Sequence, residues 1–243
     1  MIARGRVLEL HRWPVKSMAG EPVDALRLDT RGAAGDRTHA VWDVHRGAPR
    51  RLTARQAPAL LAWGAAYPGA DGASLVPEDP PSPVLTAPDG ATTYAWEDPA
   101  LPGALAASLG REVALRRDLR GQQDLADSVL VTSAATHAAL EAELGAAIDL
   151  RRWRTNAHVE LDAAPYAEEG WEGAQLRIGD AELDLLHPCE RCVIPTRDPD
   201  TQDKWSGLLK HLFREHRGLF GMNARPRGPA TIRVGDPVVL TAR

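Results

Sequence analysis

Apolar and polar positions alternate with a period of two in short runs along most of the chain, and such runs predict strands. Val7, Leu8, Leu10, Trp13 and Val15 mark one over Arg6–Val15, and Pro14 places its end just before Lys16 and Ser17. Leu26-Arg27-Leu28 and Thr38 to Val44 predict two more, joined across Gly32-Ala33-Ala34-Gly35, whose glycines permit a tight turn. Ser74 to Val76, Pro83 to Leu85 and Thr92 to Trp96 lie in a stretch rich in proline, glycine and acidic residues and predict short hairpins that close a barrel. The run Leu60, Leu61, Trp63 fits either strand or helix. A strand over Glu112 to Arg117 ends this half, with a domain boundary near residue 120. The second half predicts strands at Ser128 to Thr132, Ala157 to Leu161, Gln175 to Ile178, Ala181 to Leu186 and Thr231 to Leu240. Three stretches predict helices instead. Ser133 to Gly145 has a serine cap, many alanines and a closing glycine. Pro102 to Gly110 is shorter, and Lys204 to His216 puts Leu208, Leu209, Leu212 and Phe213 on one face. The fold class is mainly β with α, and no internal repeat is present.

Composition narrows the partners. At 243 residues the chain holds one large or two modest domains, and 44% hydrophobic residues is ordinary for a globular protein. A net charge of −4 and a pI near 6.1 give no general attraction to nucleic acid or acidic membranes. An anionic ligand therefore needs a local basic cluster. The opening Met1-Ile2-Ala3-Arg4-Gly5 begins no apolar run of signal-peptide or membrane length, and two cysteines make no disulfide framework. The expectation is a reduced, cytoplasmic protein without a membrane segment.

Both cysteines lie in His187-Pro188-Cys189-Glu190-Arg191-Cys192, after a predicted strand that stops at Pro188, so that they sit on a loop. Three readings of the pair are open. The thiols can pack as small hydrophobes. They can join His187, His211 or His216 in a tetrahedral zinc site. Or one can be an active thiolate favoured by Arg191.

Cys-x-Arg-Cys followed by Thr196-Arg197-Asp198-Pro199-Asp200-Thr201 resembles the signature of the MOSC domain, the C-terminal domain of molybdenum cofactor sulfurases. Trp13-Pro14-Val15-Lys16-Ser17, Gly35-Asp36-Arg37 and Thr53-Ala54-Arg55-Gln56 resemble the N-terminal β-barrel domain that accompanies it in the mitochondrial amidoxime-reducing component and in YcbX-like bacterial proteins. Arg154-Thr155-Asn156 and Thr231 to Val238 match in the same order. The resemblance implies an N-terminal β-barrel domain over residues 1–118 and a β-barrel-like MOSC domain with peripheral helices over 119–243. The chain is too short to include the pyridoxal-phosphate desulfurase domain of a full cofactor sulfurase.

The resemblance also implies a cofactor and its contacts. Molybdenum cofactor, a molybdopterin, would be held with Cys192 as the metal ligand, since a soft thiolate suits molybdenum. Lys16, Ser17 and Arg37 match residues that bind the cofactor phosphate. Arg154 and Asn156 match a further pair, the arginine beside the metal with a catalytic role and the asparagine at the pterin edge. Cys189 is structural, tunes the site, or has no chemical role. Thr53, Arg55 and Gln56 are assigned to structure, and His158, His187, His211 and His216 have no matched role. The sequence departs from the pattern at Gln202, where glycine usually follows Asp-Pro-Asp-Thr, and around Asp127-Ser128, where alignment needs a gap. The implied activity is reduction of N-hydroxylated compounds (hydroxylamines and amidoximes), with electrons from a separate reductase because no flavin or haem motif is evident. The alternative is a non-catalytic carrier of the cofactor or its sulfur.

Overall fold

The computed structural model describes residues 2–69, 71–119 and 128–242. Seven strands close a barrel: β1 (Ala3–Arg12), β2 (Val129–Ser133), β3 (Ala157–Leu161), β4 (Gln175–Ile178), β5 (Ala181–Glu190), β6 (Leu219–Pro226) and β7 (Pro237–Thr241). Around the ring the order is β1-β7-β4-β5-β6-β2-β3 and back to β1. Closure removes the unpaired edges that an open sheet exposes. Every pair is antiparallel except β2 and β3, which need a crossover, supplied by helix α2 (Ala134–Leu144). The period-two residues Leu10, Val131, Val159, Leu176, Leu183, Leu185 and Leu240 turn into one buried cluster.

β1 comes from the first half of the chain and is the closing stave. It pairs with β7 from Ala3↔Leu240 and with β3 from Gly5↔Leu161 to Leu10↔Ala157, with a bulge between Val7 and Glu9. Gly5 is required there, because a Cβ would fall 1.7 Å from the Glu160 carbonyl oxygen. In exchange, residues 230–233 of the second half pair with strand 25–29 of the first. The remaining strands form small sheets around a second core that includes Val15, Val41, Leu52, Leu60, Trp63 and Leu85. The fold is mainly β with some α, as the sequence implied. The predicted boundary at 118/119 adjoins residues 120–127, which lie outside the described residues.

Three local expectations are corrected and one open choice is settled. The β5 strand does not stop at Pro188 but runs to Glu190, with irregularities at Leu185/His187 and Pro188/Glu190. Proline lacks an N–H for the ladder, and a bulge is where a strand tolerates it. The single strand predicted over Thr231 to Leu240 is two, split by a turn at 234–236 in which Gly235 has φ +87° and Asp236 accepts the Arg233 N–H at 2.7 Å. Ser74 to Val76 is not a strand; Ser74 closes a turn, with its N–H on the Asp71 carbonyl at 2.9 Å. The run at Leu60 and Leu61, open between strand and helix, is helical, in the short 3-10 turn Pro58–Ala62.

Among the described residues, three helices flank the sheets. Helix α1 (Leu101–Leu109) ends on Gly110 at φ +65°. Helix α2 is capped by the Ser133 hydroxyl accepting the Thr136 N–H, and it ends on Gly145. In α3 (Ser206–Glu215), Leu208 and Leu212 pack with Leu140, Ile148, Trp153 and Phe220. Leu209 and Phe213 do not join them; they line an open groove with Val193, so only half of the predicted apolar face is covered.

Candidate functional site

The site is built where the chain leaves β1. Beyond Arg12, the segment 13–17 lies beside 37–39: Arg37 N–H donates to the Trp13 carbonyl at 2.7 Å, and Lys16 N–H donates to the His39 carbonyl at 2.8 Å. Asp36, buried, accepts the Trp13 N–H at 2.8 Å through Oδ1 and pairs with Arg37 through Oδ2. Gly35 allows this approach, because its φ is +74° and a Cβ would meet the Tyr67 ring at 2.8 Å. Two segments about twenty residues apart are thereby fixed side by side, and Lys16 and Arg37 face one cavity.

The opposite wall comes from the second half. Arg154 follows the 3-10 turn Leu150–Trp153 in a left-handed conformation, φ +55°. Its carbonyl accepts from Arg37 Nη2 at 3.0 Å, its own Nη1 donates to the Met18 carbonyl at 2.7 Å, and its guanidinium lies 4.3 Å above the Trp13 ring centre. Arg37 thus holds the backbone of Arg154, and Arg154 holds the backbone just after Ser17. Arg191, at the exit of β5, donates from Nη2 to the Trp153 carbonyl at 2.7 Å and from Nη1 to Cys189 Sγ at 3.1 Å.

Lys16, Ser17, Arg37, Arg154, Asn156 and Cys192 all line this cavity, whose volume is about 340 Å³. Among the described residues, its cationic side chains are Lys16, Arg37, Arg55, Arg154 and Arg191, and its one carboxylate is Glu190. Loss of water, then the neighbouring Arg37, hold the Arg154 guanidinium down to about 9, still protonated at neutral pH. Arg154 Nη2 and Arg191 Nε are buried with no partner among the described residues. Unmet donors of this kind are costly unless something outside the chain accepts from them. Both cysteines are free thiols at intermediate burial. Cys189 is engaged by Arg191, whereas among the described residues no hydrogen bond reaches Cys192 Sγ.

Other sequence-selected residues divide. Asn156 ties its amide to the backbone and to Arg37: Oδ1 accepts the Leu130 N–H at 3.0 Å and, at 3.5 Å, Arg37 Nη1, while Nδ2 donates to the His11 carbonyl at 3.3 Å. Thr53 and Gln56 lock their own turn through a 2.6 Å bond, but Arg55, also assigned to structure, lines the cavity instead. Ser17 Oγ accepts the Ala54 N–H at 3.0 Å, which ties that turn to the site. His211 and His216 do not line the cavity, so the cysteines and these two histidines do not share a zinc site. His158 is buried against Thr132. The cavity also takes His187, the one histidine of the zinc reading that does line it beside the cysteines, with Ser128 and with Asn223, for which the sequence offers little signal; Asp127 lies outside the described residues.

A model of the MOSC domain matches residues 118–239, and one of the MOSC N-terminal beta barrel domain matches residues 4–98. The chain belongs to the MOSC family. It is 32% identical over 124 residues to mitochondrial amidoxime-reducing component 1 of Homo sapiens, a match covering 46% of this chain and 36% of that protein. The Mus musculus protein of the same name is 32% identical over 130 residues, covering 47% and 37%. These matches span little more than a third of the relatives' length. The YUAD protein from Bacillus subtilis shares the fold, with a TM-score of 0.51 and 13% identity over 99% of this chain and 97% of that one.

The departure of this MOSC chain at Gln202 has a structural account. Gln202 sits at φ +67°, a region glycine enters freely and other residues enter at about 1 kcal/mol. Its side chain donates to the Pro199 carbonyl at 2.9 Å, and its carbonyl accepts from Arg197 at 3.1 Å, so the turn is held from both sides. No helix among the described residues is long and apolar enough to cross a membrane.

Proposed function

We propose that the chain is a molybdenum-cofactor-dependent oxidoreductase that reduces N-hydroxylated compounds with electrons from a separate reductase, and that it works in the cytoplasm. The observation that carries this reading is the convergence of an unengaged thiol and five cations on one cavity, drawn from motifs spread across the sequence. The donor set fits the group. A thiolate suits a soft metal, the cations suit a phosphate dianion, and the two unpartnered guanidinium nitrogens await acceptors.

Cys192 is the metal ligand in this reading. Lys16, Ser17 and Arg37 hold the phosphate, with the Ser17 hydroxyl free to donate because its oxygen already accepts from Ala54. Arg55 adds a third charge on that side. Arg154 presents Nη2 to the oxygen of the substrate's N–O group, and its clamp on the Met18 carbonyl keeps it from swinging away. Asn156 lies at the pterin edge and also sets the backbone between Leu130 and His11. When bound, the cofactor supplies a two-electron redox centre. The N–O bond breaks, two electrons and two protons enter, and the oxygen leaves as water.

The test is turnover of a benzamidoxime-type substrate together with elemental analysis. Molybdenum near one per chain is expected, with activity abolished in Cys192→Ser and largely kept in Cys189→Ser. Equal loss from both variants overturns the assignment of Cys192. Cofactor binding without turnover, even with reduced viologen as donor, would establish the carrier reading in its place.

A further inference from the structure

The C-terminal turns of α2 and α3 bring three metal-ligating side chains to one point that the cavity does not use. Glu143 lies on the last turn of α2, His211 lies on α3, and His216 caps α3. Both imidazole Nε2 atoms lie 2.7 Å from a single oxygen, Glu143 Oε2. The three donor atoms fall within 4.8 Å of one another. The imidazoles are 13% and 12% exposed and the carboxylate 33%, so the rings are set in the surface while one side stays open to solvent.

A second feature is built around the same point. Tyr166 occupies φ +63°, a conformation that a bulky side chain rarely adopts and that needs support from its surroundings. The support is the Thr136 hydroxyl, which accepts the Tyr166 N–H at 2.9 Å. Held so, the phenol donates to Glu143 Oε1 at 2.8 Å and the ring stacks on His216 with centroids 3.9 Å apart. An outer hydrogen bond that fixes a ligating carboxylate, and a ring that fixes a ligating imidazole, are the supports that metal sites use.

We propose that Glu143, His211 and His216 form a binding site for a zinc-class divalent cation, with solvent in the fourth position and Tyr166 orienting the carboxylate. Two imidazoles and a carboxylate with one open position form a donor set that zinc accepts. Bonds of about 2.0 Å in a tetrahedron separate ligand atoms by roughly 3.3 Å. The 2.7 Å spacings therefore open by about half an ångström, within reach of side-chain rotation. Binding needs a lone pair on each Nε2, so the ring protons move to Nδ1. His211 Nδ1 then gives up its 3.4 Å contact with Arg214, a mostly exposed side chain that also pairs with Glu215. Such a site would clamp the end of α2 to α3.

Zinc and cobalt titrations of the chelator-treated full chain test this, followed by calorimetry and by visible absorption. One zinc per chain is expected to bind in the Cys189→Ser/Cys192→Ser variant. Its cobalt form should lack the near-ultraviolet charge-transfer band of a thiolate ligand. Affinity should drop at least a hundredfold in His211→Ala/His216→Ala and in the near-isosteric Glu143→Gln, and about tenfold in Tyr166→Phe, the order found when outer partners are removed. Circular dichroism of Glu143→Gln should match the wild type. Unchanged zinc affinity in Glu143→Gln and in the histidine variant overturns the proposal. So does loss of all binding when only the cysteines are changed.

Discussion

The barrel interior and the cavity beside it follow opposite rules. Inside the barrel each strand has a neighbour on both sides, the buried residues are aliphatic, and side chains alternate inward with a period of two. At the cavity, Ser17, Arg37 and Arg154 all hold positive φ, and two buried guanidinium nitrogens have no partner among the described residues. Local preference and global structure agree in the first region and conflict in the second. Such conflict persists only where the surroundings over-determine it, and it collects at binding sites. The barrel supplies that rigidity to the loops that carry the site.

The largest expected effect falls on the cavity. Each charge-assisted bond to a phosphate is worth about 1.5–3 kcal/mol, and about 1.4 kcal/mol is one decade of affinity. Arg37→Ala should weaken cofactor retention about ten- to a hundredfold. Lys16→Ala with Arg37→Ala should leave almost no molybdenum on the purified chain, while circular dichroism stays unchanged. Full molybdenum content in the double variant would show that the two cations do not act on one anion.

In the barrel the opposite pattern is expected. Leu183→Ala removes a fully buried side chain and should cost about 2–5 kcal/mol in urea unfolding. The molybdenum bound per folded chain should stay level. Loss of metal in step with stability would break the separation between the two regions.

Acid should act on both regions at once. Burial, then the charge of Arg117, lowers His39 to about 3; burial, then His137, lowers His158 to about 4. The unfolded chain protonates near 6.5, so it takes up protons that the folded chain refuses as pH falls below that value. Stability contributed by each neutral ring is thus present at pH 7. It is lost at about 1.4 kcal/mol per pH unit between roughly 6.5 and the folded value. From pH 7 to pH 5 the loss should be about 2 kcal/mol per histidine, read as a shift in urea midpoint. A flat profile over that range would contradict the burial of both rings.

The smallest effect tests strain that serves no ligand. Arg46-Gly47 is a two-residue hairpin turn between the paired residues His45 and Ala48, with φ of +52° and +79°. Asparagine suits the first of these positions far better than arginine. Arg46→Asn should raise stability by about 0.5–1 kcal/mol and leave activity alone. A gain of that size at Arg46, set against the roles proposed for Ser17 and Arg154 at similar angles, would sharpen the contrast.

What the sequence revealed follows from how local each signal is. Lys16-Ser17, Arg37, Arg154 and Cys192 sit in short ordered motifs beside predicted strand ends, and they do meet at one cavity. The course of β5 through Pro188 was hidden, because a bulge is set by the partner strand rather than by the proline itself. That partner, β6, was not predicted at all: Gly218, Gly221 and Pro226 interrupt its apolar pattern. The sequence assigns Arg55 to structure and Arg191 only to the neighbouring thiol; that both line the cavity depends on how the loops fold, which neither motif specifies. The division of Thr231 to Leu240 between two sheets was equally hidden, since its alternation is almost continuous across the turn.

The pairing of β1 with β7 also bears on how the protein is made. Residues 3–12 cannot find one of their neighbours until residues 237–241 have been synthesised, roughly 10–50 s later at ordinary ribosomal speeds. During that interval a strand edge waits without its mate, which is a hazard of long-range β pairing. Ring closure then comes last and depends on the two most distant strands in the chain. The same adjacency offers a remedy: joining residues near 3 and 240 by a short linker, and opening the chain at an exposed turn such as Arg46-Gly47, would make these two strands near neighbours in synthesis.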